Sequence, residues 1–455
     1  MNPDEIKKIK EKLNAIGNGF CMAKWYHVSL HLHTGVNHSC YHPMPHPIPL
    51  EEVKKDPSKL HNTDWKKEQR RIMLEGGRPD ECSYCWNIED LEGDQISDRY
   101  LRSSEEWSKP LIEKTAKMDG SEDVYPRYLE VNFGFECNLK CSYCASSVSS
   151  SWHSEIVKHG DYDLKNPVNK RQYSISDQVW KREEENPYIE AFWKWFPEVY
   201  PHLHTFRVTG GEPLLSSNVF KSLDYISENP NPNLEWSVNT NMCIPQRNLK
   251  KYANRVADLV NGNKIKQVST FTSVDTWGPQ TEYIRFGFNQ EKFLENIDIY
   301  LNMVPKSTIN FMITFNFLSM PNFHLLLDKI LELRAKYNTK KIQRVNLDTP
   351  YLIEPPHLSA QITDDALLEK MYSTLEYMKS QVEENNSFKF NQTEYRKLER
   401  VVKWIEANRF TGDELELNRQ DFCRFVEQHD QRRNTDFLTT FPELEDFYYR
   451  NRENS

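Results

Sequence analysis

The chain has 455 residues, with 58 Lys and Arg against 67 Asp and Glu for a formal charge of -9, 38% hydrophobic and 12% aromatic side chains, and nine cysteines. That length points to roughly three domains, or to one large barrel with additions. The apolar content excludes a disordered chain, and the acidic balance gives no basis for a nucleic-acid partner. No run approaches the roughly 18 apolar residues of a membrane span, and MNPDEIKKIKEKLNAIG lacks the apolar core of a signal peptide. The expected setting is therefore the cytoplasm, where thiols stay reduced and clustered cysteines read as metal ligands or reactive groups.

In chain order, KWYHVSLHLHTGVNHSC reads as a hairpin, with Val28, Leu30 and Leu32 alternating with His27, Ser29, His31 and His33 and a turn at Thr34-Gly35. His27, His31, His33, His38, His42 and His46 follow no ligand spacing, and Pro43, Pro45 and Pro47 interrupt the run, so they read as a solvated or substrate-facing face. An amphipathic helix in WKKEQRRIML, a Gly-Gly stop and the Cys82-x-x-Cys85 knuckle follow, and 100–125 reads as a polar linker. From about 125 to 350, strands near 128–135, 203–209, 233–240, 266–274, 307–317 and 341–347 alternate with amphipathic helices at 216–228, 246–260, 289–303 and 322–337. The polar stretch 157–187 reads as a lid or a plain surface loop. Beyond 360 the chain reads as helical, with amphipathic spans at 364–384 and 392–408, a docking tail, and Arg432 and Arg433 as surface charges.

The cysteines divide into three groups. Cys137, Cys141 and Cys144 stand together in FECNLKCSYC, a spacing that lets one loop hold three corners of an iron-sulfur cubane and leave the fourth iron open. Cys21, Cys40, Cys82 and Cys85 supply four thiolates, which suit a tetrahedral zinc or a fully ligated four-iron cluster. Cys243, just past the third strand, is a candidate hydrogen-atom donor or acceptor at the strand ends, although an inert buried thiol is the commoner state; Cys423 reads as core. The strand at 203–209 runs into Thr209-Gly210-Gly211-Glu212-Pro213, where glycines let backbone approach a ligand and a carboxylate accepts bonds from an ammonium.

The CxxxCxxC motif with Tyr143 before its last cysteine, followed about 65 residues later by Gly-Gly-Glu-Pro, resembles the radical S-adenosylmethionine superfamily. The resemblance implies an α/β fold: a partial (β/α)6 TIM-like barrel at 120–355, with functional groups at the carboxyl ends of its strands. It also implies a [4Fe-4S] cluster at Cys137, Cys141 and Cys144 that binds S-adenosylmethionine. Tyr143, Gly210, Gly211, Glu212 and Pro213 would surround that cofactor, Glu212 toward its ammonium; Ser273 and Asp275 would face ribose hydroxyls and Arg285 a carboxylate, with Asn241 and Asn316 as further contacts. No Gly-x-Ile-x-Gly pattern marks the fifth strand.

Residues 1–110 resemble a twitch domain, a shortened SPASM-like auxiliary-cluster module of hairpin and helix placed before the barrel, with CMAKW in place of a tighter Cys-Pro-x-x-Trp. That resemblance favours a second [4Fe-4S] cluster over zinc. The helical region 360–455 is similar to the end of the same subgroup. The implied function is reductive cleavage of S-adenosylmethionine to a 5′-deoxyadenosyl radical that takes a hydrogen atom from a peptide or protein side chain. The auxiliary cluster would carry electrons, and flavodoxin or ferredoxin would donate them. The alternatives are dehydrogenation or rearrangement of a small metabolite, or a non-catalytic metal-stabilised binding protein.

Overall fold

The structure is a computed structural model that describes residues 3–91, 95–175 and 179–452. Its strands are β1 (His27–His31), β2 (Val36–His38), β3 (His46–Pro47), β4 (Tyr128–Asn132), β5 (Lys140–Cys141), β6 (Thr205–Thr209), β7 (Glu235–Thr240), β8 (Gln267–Ser273), β9 (Arg285–Phe286), β10 (Thr308–Met312) and β11 (Val345–Asp348). Nine form one sheet in the order β11-β10-β8-β7-β6-β4-β1-β2-β3, and β5 pairs with β9 apart from it. Every pairing from β11 to β1 is parallel, and β2 and β3 add antiparallel at the far edge.

All six strands expected between 125 and 350 are present, and they lie side by side in chain order. Sequential order with right-handed crossovers puts the connecting helices on one face, the winding of a barrel rather than of a doubly wound sheet. The fold is therefore mixed α/β with a mostly parallel central sheet, consistent with a partial barrel. Alternation explains the two faces. Leu129, Val131, Phe206, Val208, Trp236, Val238, Ile309 and Phe311 are buried under the helices, which contribute Leu223 and Ile226 (Ser217–Glu228), Leu249 and Val256 (Gln246–Asn261), Ile297 and Tyr300 (Gln290–Met303) and Leu327 and Ile330 (Phe323–Tyr337). Each such side chain contributes about 1.5–3 kcal/mol of burial. The opposite phase is largely polar, with Glu130, Asn132, Arg207, Thr209, Ser237, Asn239, Ser273, Asn310 and Asn346 beside Tyr128, Phe271 and Met312.

The N-terminal hairpin forms as expected and is also part of this sheet. β1 lies parallel to β4 with Val28 opposite Leu129, and Val28, Leu30 and Leu32 belong to the main core with Ile48, Val53 and Leu60. Other residues of the first 128 build a second, smaller core around Phe20, Trp25, Met73, Trp86, Tyr100 and Trp107, which holds Cys85 and packs Cys21, Cys40 and Cys82 against it.

In the stretch 157–187, residues 176–178 lie outside the described residues. The part before them is neither lid nor plain loop: it buries Tyr162, Leu164 and Tyr173, with Phe425 of the C-terminal helix Gly412–Arg433 stacked on Tyr162 at 5.3 Å. Asp421 of that helix accepts from the backbone N–H of Lys165 at 2.7 Å and of Asn166 at 2.9 Å. The part after them ties Trp180 N–H to the His33 carbonyl at 2.8 Å, and Glu183 accepts from Ser216 and Asn218 at 2.7 Å.

The reading of Arg433 as a surface charge is corrected. Its side chain is 0% exposed, donates to Glu155 at 3.1 and 3.2 Å and to the Lys140 carbonyl at 2.9 Å, and lies over the Trp152 ring. Arg432 donates to the carbonyls of Gly160 and Asp161, both at 2.9 Å, and covers Tyr162. The tail docks, and in docking it clasps the segment between Cys137 and Cys144.

Candidate functional site

The loop after β4 carries Cys137, Cys141 and Cys144, and side chains outside it bind its carbonyls in succession. Ser151 Oγ donates to Cys137 O at 2.6 Å, Ser149 Oγ to Leu139 O at 3.0 Å and Trp152 Nε1 to Cys141 O at 2.8 Å. Tyr173 Oη donates to Ser142 O and Gln172 Nε2 to Tyr143 O, both at 2.8 Å. With its carbonyls bound outward, the loop turns its three thiols onto a cavity of about 230 Å3 that Gly210, Gly211, Asn241 and Ser273 also line. Burial pushes the Cys137 thiol up to about 12 and raises Cys141 and Cys144 as well, and neighbouring thiols add to the effect at Cys137 and Cys144. Three soft donors facing one cavity are a donor set that fits a metal centre.

The two glycines after β6 are required by backbone. Gly210 has φ 137°, and a Cβ there would stand 2.6 Å from Asn132 Oδ1; on Gly211 it would stand 2.5 Å from the Glu136 carbonyl oxygen. The chain entering the cysteine loop crosses at this point, Gly211 N–H donating to Gly134 O at 3.3 Å and Glu212 N–H to Glu136 O at 2.7 Å. The close approach is thus to the cysteine loop itself, and both glycines face the cavity as well.

Glu212 has other partners than the expected ammonium. Its buried carboxylate accepts from Thr240 Oγ1 at 2.8 Å, Asn241 N–H at 2.7 Å and Leu214 N–H at 3.0 Å, and it faces the end of β7 instead of the cavity. Burial pushes it up to about 7 in spite of these donors. Pro213 opens the turn Pro213–Leu215 and is buried, also off the cavity.

Tyr143, Asp275 and Arg285 come together at the cavity wall. Asp275 is fully buried and its oxygens are taken by protein donors rather than open to a ribose. Arg285 Nε lies 2.9 Å from Oδ2 and Nη2 donates to Oδ1 at 3.0 Å; Tyr143 Oη donates to Oδ2 at 3.0 Å and Thr314 N–H to Oδ1 at 3.1 Å. Arg285 Nη2 also contacts Tyr143 Oη, and Nη1 donates to Cys141 Sγ at 3.4 Å.

Asn241 stays on the cavity, donating to Asn138 Oδ1 at 2.9 Å. Asn316 does not line it: it caps the turn Phe317–Asn322, accepting from Leu318 N–H at 3.0 Å. Cys243 is also off the cavity, buried with Sγ 3.6 Å from the Asn289 carbonyl, where burial pushes its thiol up to about 12. Cys423 is core. The sequence reading passed over Asn239, Thr240 and Thr314, which line the cavity; strand alternation alone would have marked Asn239.

Cys21, Cys40, Cys82 and Cys85 line one pocket with Met73 and Trp86, and its free volume is about 20 Å3. Burial pushes Cys40 up to about 12 and Cys82 to about 11, with neighbouring thiols adding to it. The Lys24 ammonium, 2% exposed, pairs there with Glu81. The histidines are not a solvated face: His27, His33 and His38 are buried, His31 Nε2 lies 3.0 Å from His38 Nε2, His42 pairs with Asp98 at 2.6 Å and His46 with Thr63 at 3.2 Å. Burial lowers His31 to about 4 and His33 and His46 to about 3, so these three are neutral at pH 7.

Residues 131–330 match the family model described as the Radical SAM superfamily. The match covers the central sheet from β6 to β10, so this part of the chain is similar to domains of that superfamily. It is similar to the crystal structure of Streptococcus suis SuiB bound to S-adenosylmethionine, with 14% identity, a TM-score of 0.31, and 78% of this chain and 66% of that chain covered. This chain therefore spans just under two thirds of the SuiB chain's length. No curated protein matches the sequence. No described helix is long and apolar enough to cross a membrane.

The superfamily implies a [4Fe-4S] cluster and S-adenosylmethionine. The residues present fit both: three soft donors on one loop, and on their open side a cavity walled by the backbone of two glycines.

Proposed function

We propose that the chain reductively cleaves S-adenosylmethionine at a [4Fe-4S] cluster held by Cys137, Cys141 and Cys144, in a pocket walled by Tyr143, Gly210, Gly211, Asn241, Ser273 and Arg285. The observation that carries this reading is that three thiols of one loop and the glycines ending β6 line a single cavity of about 230 Å3. When bound, cluster and cofactor supply a 5′-deoxyadenosyl radical that takes a hydrogen atom from the substrate. The chain's own part is to orient the cofactor, fix the loop and keep water from the pocket.

The N-terminal thiols hold a second [4Fe-4S] cluster that carries electrons. Among the described residues the group of three His, Cys, Asp or Glu ligand atoms within 4.8 Å of one another is Glu106, His204 and Glu235, so no three of these thiols lie that close. At Glu106 and Glu235 the Lys266 ammonium, 3.2 and 2.8 Å away, bridges both carboxylates, and no metal is assigned there.

The substrate is a peptide or protein side chain. A small hydrophilic metabolite, dehydrogenated or rearranged, is the second reading; the polar face of the sheet favours it, with Arg207 bonded to Asn239 at 2.8 Å and Asn346 to Asn310 at 3.0 Å. The architecture that goes with this function is a twitch-like module at 1–110, a six-repeat partial barrel at 120–355 and a helical region at 360–455. A flavodoxin or ferredoxin supplies electrons in the cytoplasm.

Anaerobic reconstitution tests the reading. About eight irons per chain, and 5′-deoxyadenosine on adding dithionite and S-adenosylmethionine, are expected. Four irons with one zinc would remove the second cluster, and no deoxyadenosine would remove the first claim.

A further inference from the structure

Arg285 is 4% exposed, and a guanidinium that deep is costly unless its donors are met. Nη1 and Nη2 are met on two sides, while Nε lies 2.9 Å from Asp275 Oδ2 as an ion pair without an aligned hydrogen bond. Nε and Nη2 face Asp275 and Tyr143, while Nη1 reaches Cys141 Sγ at 3.4 Å. The approach to sulfur is fixed by backbone before any rotamer is chosen, because β5 and β9 pair with Cys141 directly opposite Arg285, and Ser142 N–H then donates to the Ile284 carbonyl at 2.7 Å. Asp275 in turn cannot turn away, since Tyr143 Oη and Thr314 N–H hold it from two other directions. The other buried guanidinium of this loop, Arg433, reaches the Lys140 carbonyl and Glu155 instead of a sulfur.

Resting on the assignment of the three cysteines to a [4Fe-4S] cluster, we propose that Arg285 is a positioning residue that donates a hydrogen bond to the Cys141 thiolate and sets a fixed positive charge against that cluster, with Asp275 as the counter-charge that limits it. Hydrogen bonds to ligand sulfur and nearby charge are the protein's main levers on such a potential. A cation favours the more reduced, more negative state, so Arg285 raises the midpoint potential and Asp275 lowers it. In this structure Arg285 and Asp275, expected to meet a cofactor carboxylate and a ribose, face each other and the loop.

The test is a redox titration of the reconstituted full chain followed by electron paramagnetic resonance, scoring the signal that changes when S-adenosylmethionine is added. That response separates this cluster from the N-terminal one. In Arg285→Gln the midpoint falls, with the reduced-to-oxidised ratio at a fixed potential down about tenfold, which is 59 mV for a one-electron couple. In Asp275→Asn it rises, and Arg285→Lys, which keeps the charge and loses the planar fork, lies between the parent and Arg285→Gln.

Iron content and melting temperature are recorded for each variant. If Arg285→Gln holds no iron, Asp275→Asn decides alone: a raised midpoint supports the proposal, and an unmoved or lowered one overturns it. Shifts of the same sign in Arg285→Gln and Asp275→Asn, or none, also overturn it, because a merely structural role predicts iron loss without opposed potentials. A parent protein with no signal responsive to S-adenosylmethionine overturns the cluster assignment instead.

Discussion

The two sets of clustered thiols are built in opposite ways. Cys137, Cys141 and Cys144 come from one loop gripped from outside, and beside them lies a cavity of about 230 Å3. Cys21, Cys40, Cys82 and Cys85 come from three separated segments, sit against a small core of their own, and have about 20 Å3 of open space beside them. Beside each set a buried cation is tied to a carboxylate, Arg285 to Asp275 and Lys24 to Glu81. An open coordination position thus needs more than a missing ligand. It needs space kept next to the loop, and outward hydrogen bonds on the loop's carbonyls keep that space.

The contrast breaks most visibly at the cysteines. Cys144→Ala is expected to lower 5′-deoxyadenosine formation to the level without protein and to remove about four irons per chain, while Cys82→Ala removes about four irons and leaves substrate-free deoxyadenosine formation in place. Equal loss of deoxyadenosine in both would end the division of roles. Arg433→Ala leaves Glu155 with Lys140 at 2.5 Å and Tyr162 at 2.9 Å but removes its buried guanidinium partner, and should cost about 1–3 kcal/mol, read as a lower melting temperature together with iron lost from the loop and kept at the N-terminal set.

Glu212 gives a pH test of the loop's seat. Its folded value near 7 lies above the ordinary 4.5, so its protonated form contributes stability that is complete below about 4.5 and is lost as pH rises to about 7. Denaturant melts across that window should show the parent losing stability relative to Glu212→Gln; parallel curves would remove the burial argument. The smallest effect belongs to Cys243→Ala, which should leave deoxyadenosine formation unchanged and cost about 1 kcal/mol; a loss of turnover would return that thiol to the chemistry.

Much of this was legible in the sequence, for reasons that also explain the gaps. The six central strands and the hairpin were readable because alternation along a strand is local, as in Leu129, Val131 and Phe133. The parallel pairing of β1 with β4 was not, because it joins segments about a hundred residues apart that share no turn. The CxxxCxxC loop was readable from spacing alone. Asp275 and Arg285 were found as residues but not as a pair, since a polar side chain at a strand end looks the same whether it awaits a ligand or a neighbour. The burial of the histidines was hidden for a similar reason: they alternate with apolar residues as solvent-facing ones do, and only the elements packed over them, such as His61 and Lys66, make the face internal.

The clasp on the cysteine loop has a consequence in time. Arg433 lies 433 − 144 = 289 residues after Cys144. At synthesis rates of about 5–20 residues per second, the loop exists for roughly 15–60 s with its thiols made and its clasp not yet synthesised. Metal delivered during that interval meets a loop braced by Ser149, Ser151 and Trp152 but not yet by Arg433, so a chain cut short before residue 433 would carry every cysteine ligand and is expected to hold its iron less firmly.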